Sequence, residues 1–220
     1  MRRLAEPKVV TYALIAAALS ALLCLPNILL WEKRPFSISY IETTAFLGGF
    51  VLWAFVFAWH TEYTRRPVFT LKIKPAVFAF ATLVGILGAV LLHFFFDPAL
   101  RAINPKEYPA DFEHWIASTL FTLAFTQLVL LFAPYAWLVR LFRNESVAMA
   151  LTVAFGVAVW WLKVQSSPHH LPSALFTELL AVRVLQAIVG VWFYQRGGIL
   201  LVWWLSLLVE VRHPLGFQGM

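Results

Sequence analysis

The stretch Val9–Trp31 reads VVTYALIAAALSALLCLPNILLW and holds no Asp, Glu, Lys or Arg. An uncharged apolar run of about 18 residues or more is long enough to cross the ~30 Å hydrocarbon core of a bilayer as a helix. Arg2, Arg3 and Lys8 precede it, as in a secretory signal. The run outlasts an h-region of about 7–15 residues, however. Leu23 also stands before Cys24, where a lipoprotein signal needs a small residue. The segment therefore reads as a retained signal anchor, with Pro26 bending its outer end.

Working outward, six further apolar stretches follow. They are Ser37–His60, Pro75–Phe96, Ile116–Phe142, Val147–Val164, Pro172–Tyr194 and Gly198–Val211. The fourth span is overlong, so Pro134 is expected to kink or tilt it. Gly197 and Gly198 separate the sixth from a short seventh. Asp97–Glu113, with Pro98, Pro105 and Pro109, reads as an extramembrane loop with room for a short surface helix. The expectation is one all-α domain over residues 1–220, a polytopic transmembrane bundle of about seven spans.

Composition excludes the main alternative. Hydrophobic residues make up 61% and charged residues 13%, with a mean hydropathy of +0.79. Soluble domains carry about 25% charged residues, so lipid must solvate much of this surface. The net charge of +6 does not point to nucleic acid. The basic residues sit in short loops, the pattern of topology determinants and of contacts with anionic lipid. With the N-terminus cytoplasmic, the inner side holds Arg2, Arg3, Lys8, Arg65, Arg66, Lys72, Lys74, Arg140, Arg143 and Arg196. The outer side then holds Lys33, Arg34, Arg101, Lys106, Lys163 and Arg212. The positive-inside bias selects N-in and C-out. Cys24 is the only cysteine, so no intrachain disulfide forms.

This topology brings His93, His114, His169, His170 and His213 to the outer boundary with Glu42, Glu178 and Glu210, and leaves His60 inside. No HExxH or similar metal spacing occurs. Glu178 and Arg183 lie deep in one span, within LFTELLAVRVLQ (175–186). An unpaired charge at that depth costs about 2.5–3.5 kcal/mol on insertion scales. Five residues apart, the two project about 140° from each other, so each is expected to find a partner on another span. Glu210, Arg212 and Gln127 are the candidates. The expected polar intramembrane pocket comprises Gln127, Glu178, Arg183, Ser206, Glu210 and His213. Its alternative is a structural ion-pair network that fixes helix register.

From about Phe121 to His213 the layout resembles the CPBP family of membrane proteins (CAAX-prenyl proteases and bacteriocin-processing proteins). A helix leads to the basic turn Arg140–Arg143, then to a span reading AFGVAVW (154–160). Later comes WFYQRGGILL (192–201), similar to the family's glycine lead-in to its last catalytic helix. The resemblance implies EExxxR, FxxxH and HxxxN or HxxxD on successive helices, a set that activates water for peptide cleavage. Here Thr126 and Gln127 stand at the paired carboxylates and Leu131 at the arginine. Phe155 is kept but Val159 replaces histidine, and Ser206 to Glu210 stands where HxxxN would. Thr, Gln and Ser supply no general base at neutral pH without an activating partner. The resemblance thus implies a proteolytically inactive scaffold with a binding, accessory or assembly role. The alternative is an active intramembrane protease with a non-standard set, Glu178, Glu210 and His213. The partners implied are the lipid bilayer and a membrane protein or larger complex; the location implied is a bacterial inner (plasma) membrane, and no cofactor is assigned.

Other classes have less to carry them. A b-type haem would need His93 and His114 at matched depth. A transporter would show two similar halves with broken helices, and a channel a polar stripe or filter. Trp160, Trp161, Trp203 and Trp204 are expected to anchor at the membrane interface.

Overall fold

The computed structural model describes residues 2–31, 34–105, 108–167 and 171–215. Lys33, Lys106, His169 and His170 lie outside the described residues. Six helices are long and apolar enough to cross a membrane: α1 Pro7–Leu29, α2 Ile38–Thr64, α3 Pro75–Ile103, α4 Phe112–Phe142, α5 Glu145–Ser166 and α6 Ser173–Glu210. No strand occurs among the described residues. The protein is an integral membrane helix bundle, and large apolar side chains such as Leu22, Leu83, Leu162 and Leu185 cover its outer surface.

Local chemistry sets the helix ends. Pro7 and Pro75 open α1 and α3 at positions where no backbone N–H is needed. Ser37 Oγ accepts from the Tyr40 amide, and Asn144 Oδ1 accepts from those of Ser146 and Val147. Asp111 caps α4 by accepting from the His114 amide at 2.9 Å. That bond, with the adjacent imidazole, holds the Asp111 carboxyl below its ordinary pKa. Arg65 and Arg143 close α2 and α4 in the left-handed conformation, with φ of 56° and 50°.

The separation of the last two spans is real, although helical hydrogen bonding runs on across it. Gly198, at φ 65° and ψ −161°, breaks α6 into arms 173–197 and 199–210. The first arm runs antiparallel to α3: Phe80 meets Trp192 and Phe193 at one end, while Leu92 and Phe96 cluster with Leu179 at the other. The second arm runs parallel to α3. Trp204 Nε1 donates to Thr82 Oγ1 at 2.9 Å, and Arg212 reaches Asp97 at the far end. A straight helix would set Leu179 and Val209 about 45 Å apart, yet both pack in one apolar cluster. The chain therefore doubles back at Gly198, and the short second arm runs back toward the side opposite the N-terminus.

Where the sequence placed a loop from Asp97, helix α3 instead continues to Ile103, and the break before α4 falls at 104–111. Among the described residues four π-helical turns interrupt the spans: Val56–His60, Leu92–Phe96, Thr122–Thr126 and Leu128–Phe132. Two of them end just before Pro98 and Pro134. A proline lacks the N–H for the bond to residue i−4 and crowds that carbonyl. The wider turn takes up that crowding, so α4 passes Pro134 without breaking.

The tryptophan pairs make specific ring contacts. Trp203 meets Phe69 edge-on, Trp204 stacks on Phe78, and Trp160 stacks on Phe176. Only Trp161 of the four is exposed. Small residues bring α1 and α2 close: Ala13 and Ala17 are fully buried, and a Cβ on Gly49 would touch Ala17 at 3.8 Å. Between the two helices the buried Trp53 Nε1 donates to Ser20 Oγ at 3.0 Å.

Candidate functional site

The positions that the resemblance singles out lie on α4, on α5 and on the second arm of α6. Gln127 sits between the two π-helical turns of α4, a feature that often marks functional positions. Reversal at Gly198 carries Ser206 to the same depth, and Gln127 Nε2 donates to Ser206 Oγ at 3.0 Å. Thr126 is half-buried beside Gln127, Leu131 is buried, and Val159 is half-buried on α5. A Cβ at Gly190 would sit 2.9 Å from Leu131 Cδ1, so Leu131 is packed closely against α6. Amide and hydroxyl satisfy one another, and neither moves a proton readily at neutral pH.

One turn beyond Ser206 begins an ionic cluster at the side opposite the N-terminus. Arg212 Nε donates to Asp97 Oδ2 at 3.1 Å, and Tyr108 Oη donates to Asp97 Oδ1 at 3.1 Å. Arg212 Nη1 donates to the Val209 carbonyl at 2.8 Å. His213 Nε2 lies 3.2 Å from Glu210 Oε2, and Trp115 Nε1 donates to the Glu210 carbonyl at 2.8 Å. Arg101 covers the Tyr108 ring with its guanidinium carbon 4.9 Å from the centroid. Asp97 is 3% exposed and His213 7%, so the cluster is held largely away from water. Three chain segments, α3, the 104–111 connection and the C-terminus, are tied there.

Of the expected pocket, Gln127 and Ser206 meet directly, and Glu210 and His213 meet directly. Arg183 hydrogen-bonds Gln186 at 3.1 Å on its own helix. Glu178 does not join them; its side chain is exposed on the outer face of α6. The pocket thus divides into a neutral pair and an ionic cluster. Asp97, Tyr108 and Trp115 were missed from sequence. Asp97 carried a usable signal, an acidic residue directly after FFF and before Pro98, while Tyr108 and Trp115 carried none.

His114 Nδ1 is held by Asp111 Oδ1 at 2.8 Å, and His93 packs against Phe94. Among the described residues no three His, Cys, Asp or Glu side chains stand together as a metal site. At the other end of the bundle, His60 is fully buried against Tyr194, with ring centroids 4.6 Å apart. Cys24 is a buried free thiol.

Burial, then the neighbouring Asp97 carboxylate and its hydrogen bond, push the Tyr108 phenol well above its ordinary pKa of 10.0. An unfolded tyrosine ionises near pH 10 while the folded one stays neutral, so the unfolded state gains on Tyr108 as pH rises past 10. Tyr108→Phe removes that linkage. Thermal melts between pH 9 and 11.5 are expected to show a shallower alkaline fall for the variant, from a lower starting Tm. Equal slopes would show that Tyr108 ionises normally in the fold.

Compared with known proteins, the chain matches no family model, no curated protein and no solved structure.

Proposed function

We propose that the chain is a CPBP-like membrane protein without proteolytic activity, serving as a binding or assembly subunit for another membrane component. The observation that carries this reading is the 3.0 Å contact between Gln127 and Ser206. Those two positions correspond to a catalytic carboxylate and a catalytic histidine in the family resemblance. Their meeting supports the alignment, and their chemistry supports loss of hydrolysis. General acid–base catalysis needs a group poised to exchange a proton near the working pH, which an amide and an aliphatic hydroxyl lack. The pair then acts as a clasp between α4 and the second arm of α6.

A clasp has its own signature. Truncating one partner strands the other in an apolar setting at a cost of about 1–3 kcal/mol, whereas replacing both with apolar groups costs less than the sum. Gln127→Leu and Ser206→Ala are expected to lower Tm singly and to be sub-additive together. The functional test is twofold. The reconstituted protein is given a membrane-embedded peptide, and the protein purified in mild detergent is analysed for co-purifying chains. The expected result is no cleavage and a stoichiometric partner. Cleavage abolished by Glu210→Gln would overturn the proposal.

That outcome belongs to a second reading, an active hydrolase built on Glu210 and His213. The 3.2 Å contact between them favours it, as does the buried His213 Nδ1 without a hydrogen-bond partner. Engagement of the same segment by Arg212 and Asp97 favours the structural role instead. We further infer that the N-terminal side is cytoplasmic in a bacterial plasma membrane. Arg3, Lys8, Arg65, Arg66, Lys72, Lys74, Arg140, Arg143 and Arg196 all lie at that side.

A further inference from the structure

Between α1, the 65–70 connection and the second arm of α6 runs a groove of about 730 Å³. Its walls are apolar: Tyr12, Ile15, Leu19 and Leu22 on α1 face Trp53, Phe69 and Trp203. Of the two indoles in the walls, the Trp53 N–H is bonded to Ser20, and the Trp203 N–H is buried without a hydrogen-bond partner. Arg3 and Lys8 stand at one end and Leu23 and Ala124 at the other. From Lys8 to Leu23 the helix rises about 22 Å. That exceeds the ~15 Å of one leaflet, half of the ~30 Å hydrocarbon core.

We propose that this groove is a binding site for an anionic phospholipid, with one acyl chain along α1 and the phosphate held by Arg3 and Lys8. Shape and chemistry both select that occupant. Helices associate in lipid through small residues that let backbones approach, whereas a helix about 10 Å across would here meet Tyr12, Ile15, Leu19 and Leu22. An extended peptide would bring a ladder of amides to walls that are apolar over most of their length, too few partners for a backbone in a lipid-facing setting. A hydrocarbon chain needs neither the width nor the partners. The charge lies at one end only, as an amphiphile requires. Arg3 Nε also lies 3.8 Å from Glu6 and 3.7 Å from Glu62, so a phosphate would share Arg3 with these two carboxylates while Lys8 stands beside it. Tyr12, Ile15, Leu19 and Leu22 are each more than half exposed and form one stripe that no other protein element covers.

This site is independent of whether the chain is a protease relative. It is tested on the full chain in mild detergent, incubated with equal amounts of phosphatidylglycerol and phosphatidylcholine carrying identical acyl chains. Retained lipid is read by native mass spectrometry. Phosphatidylglycerol is expected to be retained about tenfold over phosphatidylcholine, the scale set by two cations near an anionic headgroup. Joint Arg3→Gln and Lys8→Gln should bring the ratio towards one while total retention persists. Leu19→Trp, which fills the groove from an exposed position, should cut retention of both lipids severalfold at unchanged Tm. If that variant does not survive purification, Ile15→Trp on the same stripe replaces it. Equal retention of the two lipids by the unmodified protein, or retention indifferent to all these changes, would overturn the proposal. So would a polypeptide crosslinking to position 19 in place of lipid.

Discussion

Gly198→Ala is expected to lower the Tm of the purified protein by about 6–12 °C, or to prevent its recovery folded. Two effects combine. The backbone at φ 65° and ψ −161° lies in a region open to glycine alone, so a Cβ adds about 1–3 kcal/mol of strain. That Cβ would also stand 2.5 Å from the Val68 carbonyl oxygen, which accepts the Ile199 amide at 3.1 Å. The carbonyl must withdraw, and the bond, worth about 1 kcal/mol, goes with it. The two together come to about 2–4 kcal/mol, and about 3 kcal/mol in a chain of this size corresponds to that Tm shift. Gly48→Ala is the control, because nothing lies within 4 Å of a Cβ there. Its Tm should be unchanged or slightly raised, since alanine favours helix over glycine. An unchanged Tm for Gly198→Ala would mean that the hairpin does not turn on that residue.

Breaking the Asp97–Arg212 pair should have an effect of similar size. Their side chains are 4% and 12% exposed, so removing one partner leaves the other charged and poorly solvated. Such a loss costs about 3–5 kcal/mol, whereas exchanging both for apolar residues of similar volume is often nearly neutral. Asp97→Leu and Arg212→Met are each expected to destabilise strongly. Asp97→Leu combined with Arg212→Met should cost less than the sum of the two single losses. Strict additivity, measured by Tm or by denaturant in one detergent, would show that the ion pair does not couple α3 to the C-terminus. If Glu210 and His213 are structural, as the clasp reading holds, any function the protein performs should fall in proportion to stability across this series.

The sequence revealed the spans because each is an uncharged run near the length of a bilayer core, a signal that survives without tertiary context. It also revealed the break at Gly197 and Gly198, although hydrogen bonding continues through it. The meeting of Gln127 with Ser206 was legible only through the family layout. No local pattern ties an amide on one helix to a hydroxyl 79 residues later. Glu178 illustrates the limit. Its depth in an apolar span argued for an interior partner, yet depth does not fix rotation about the helix axis, and the residue faces outward. The π-helical turns change rotation within a span by amounts that a 3.6-residue period does not contain. Asp97 was assigned to a loop because Pro98 follows it. A π turn absorbs the proline, α3 continues, and the carboxylate ends up buried against Arg212.

The reversal at Gly198 assembles both the Gln127–Ser206 pair and the cluster around Glu210, so sidedness of the C-terminus is the most direct test. In a Cys24→Ala background, single cysteines at Leu71 and Leu215, which are 90% and 65% exposed, would be labelled in sealed vesicles with a membrane-impermeant maleimide. The expected result is reaction from opposite faces, one position before and the other only after the vesicles are opened. Labelling of both positions from the same face would mean that α6 crosses once without doubling back, and neither site as described would exist.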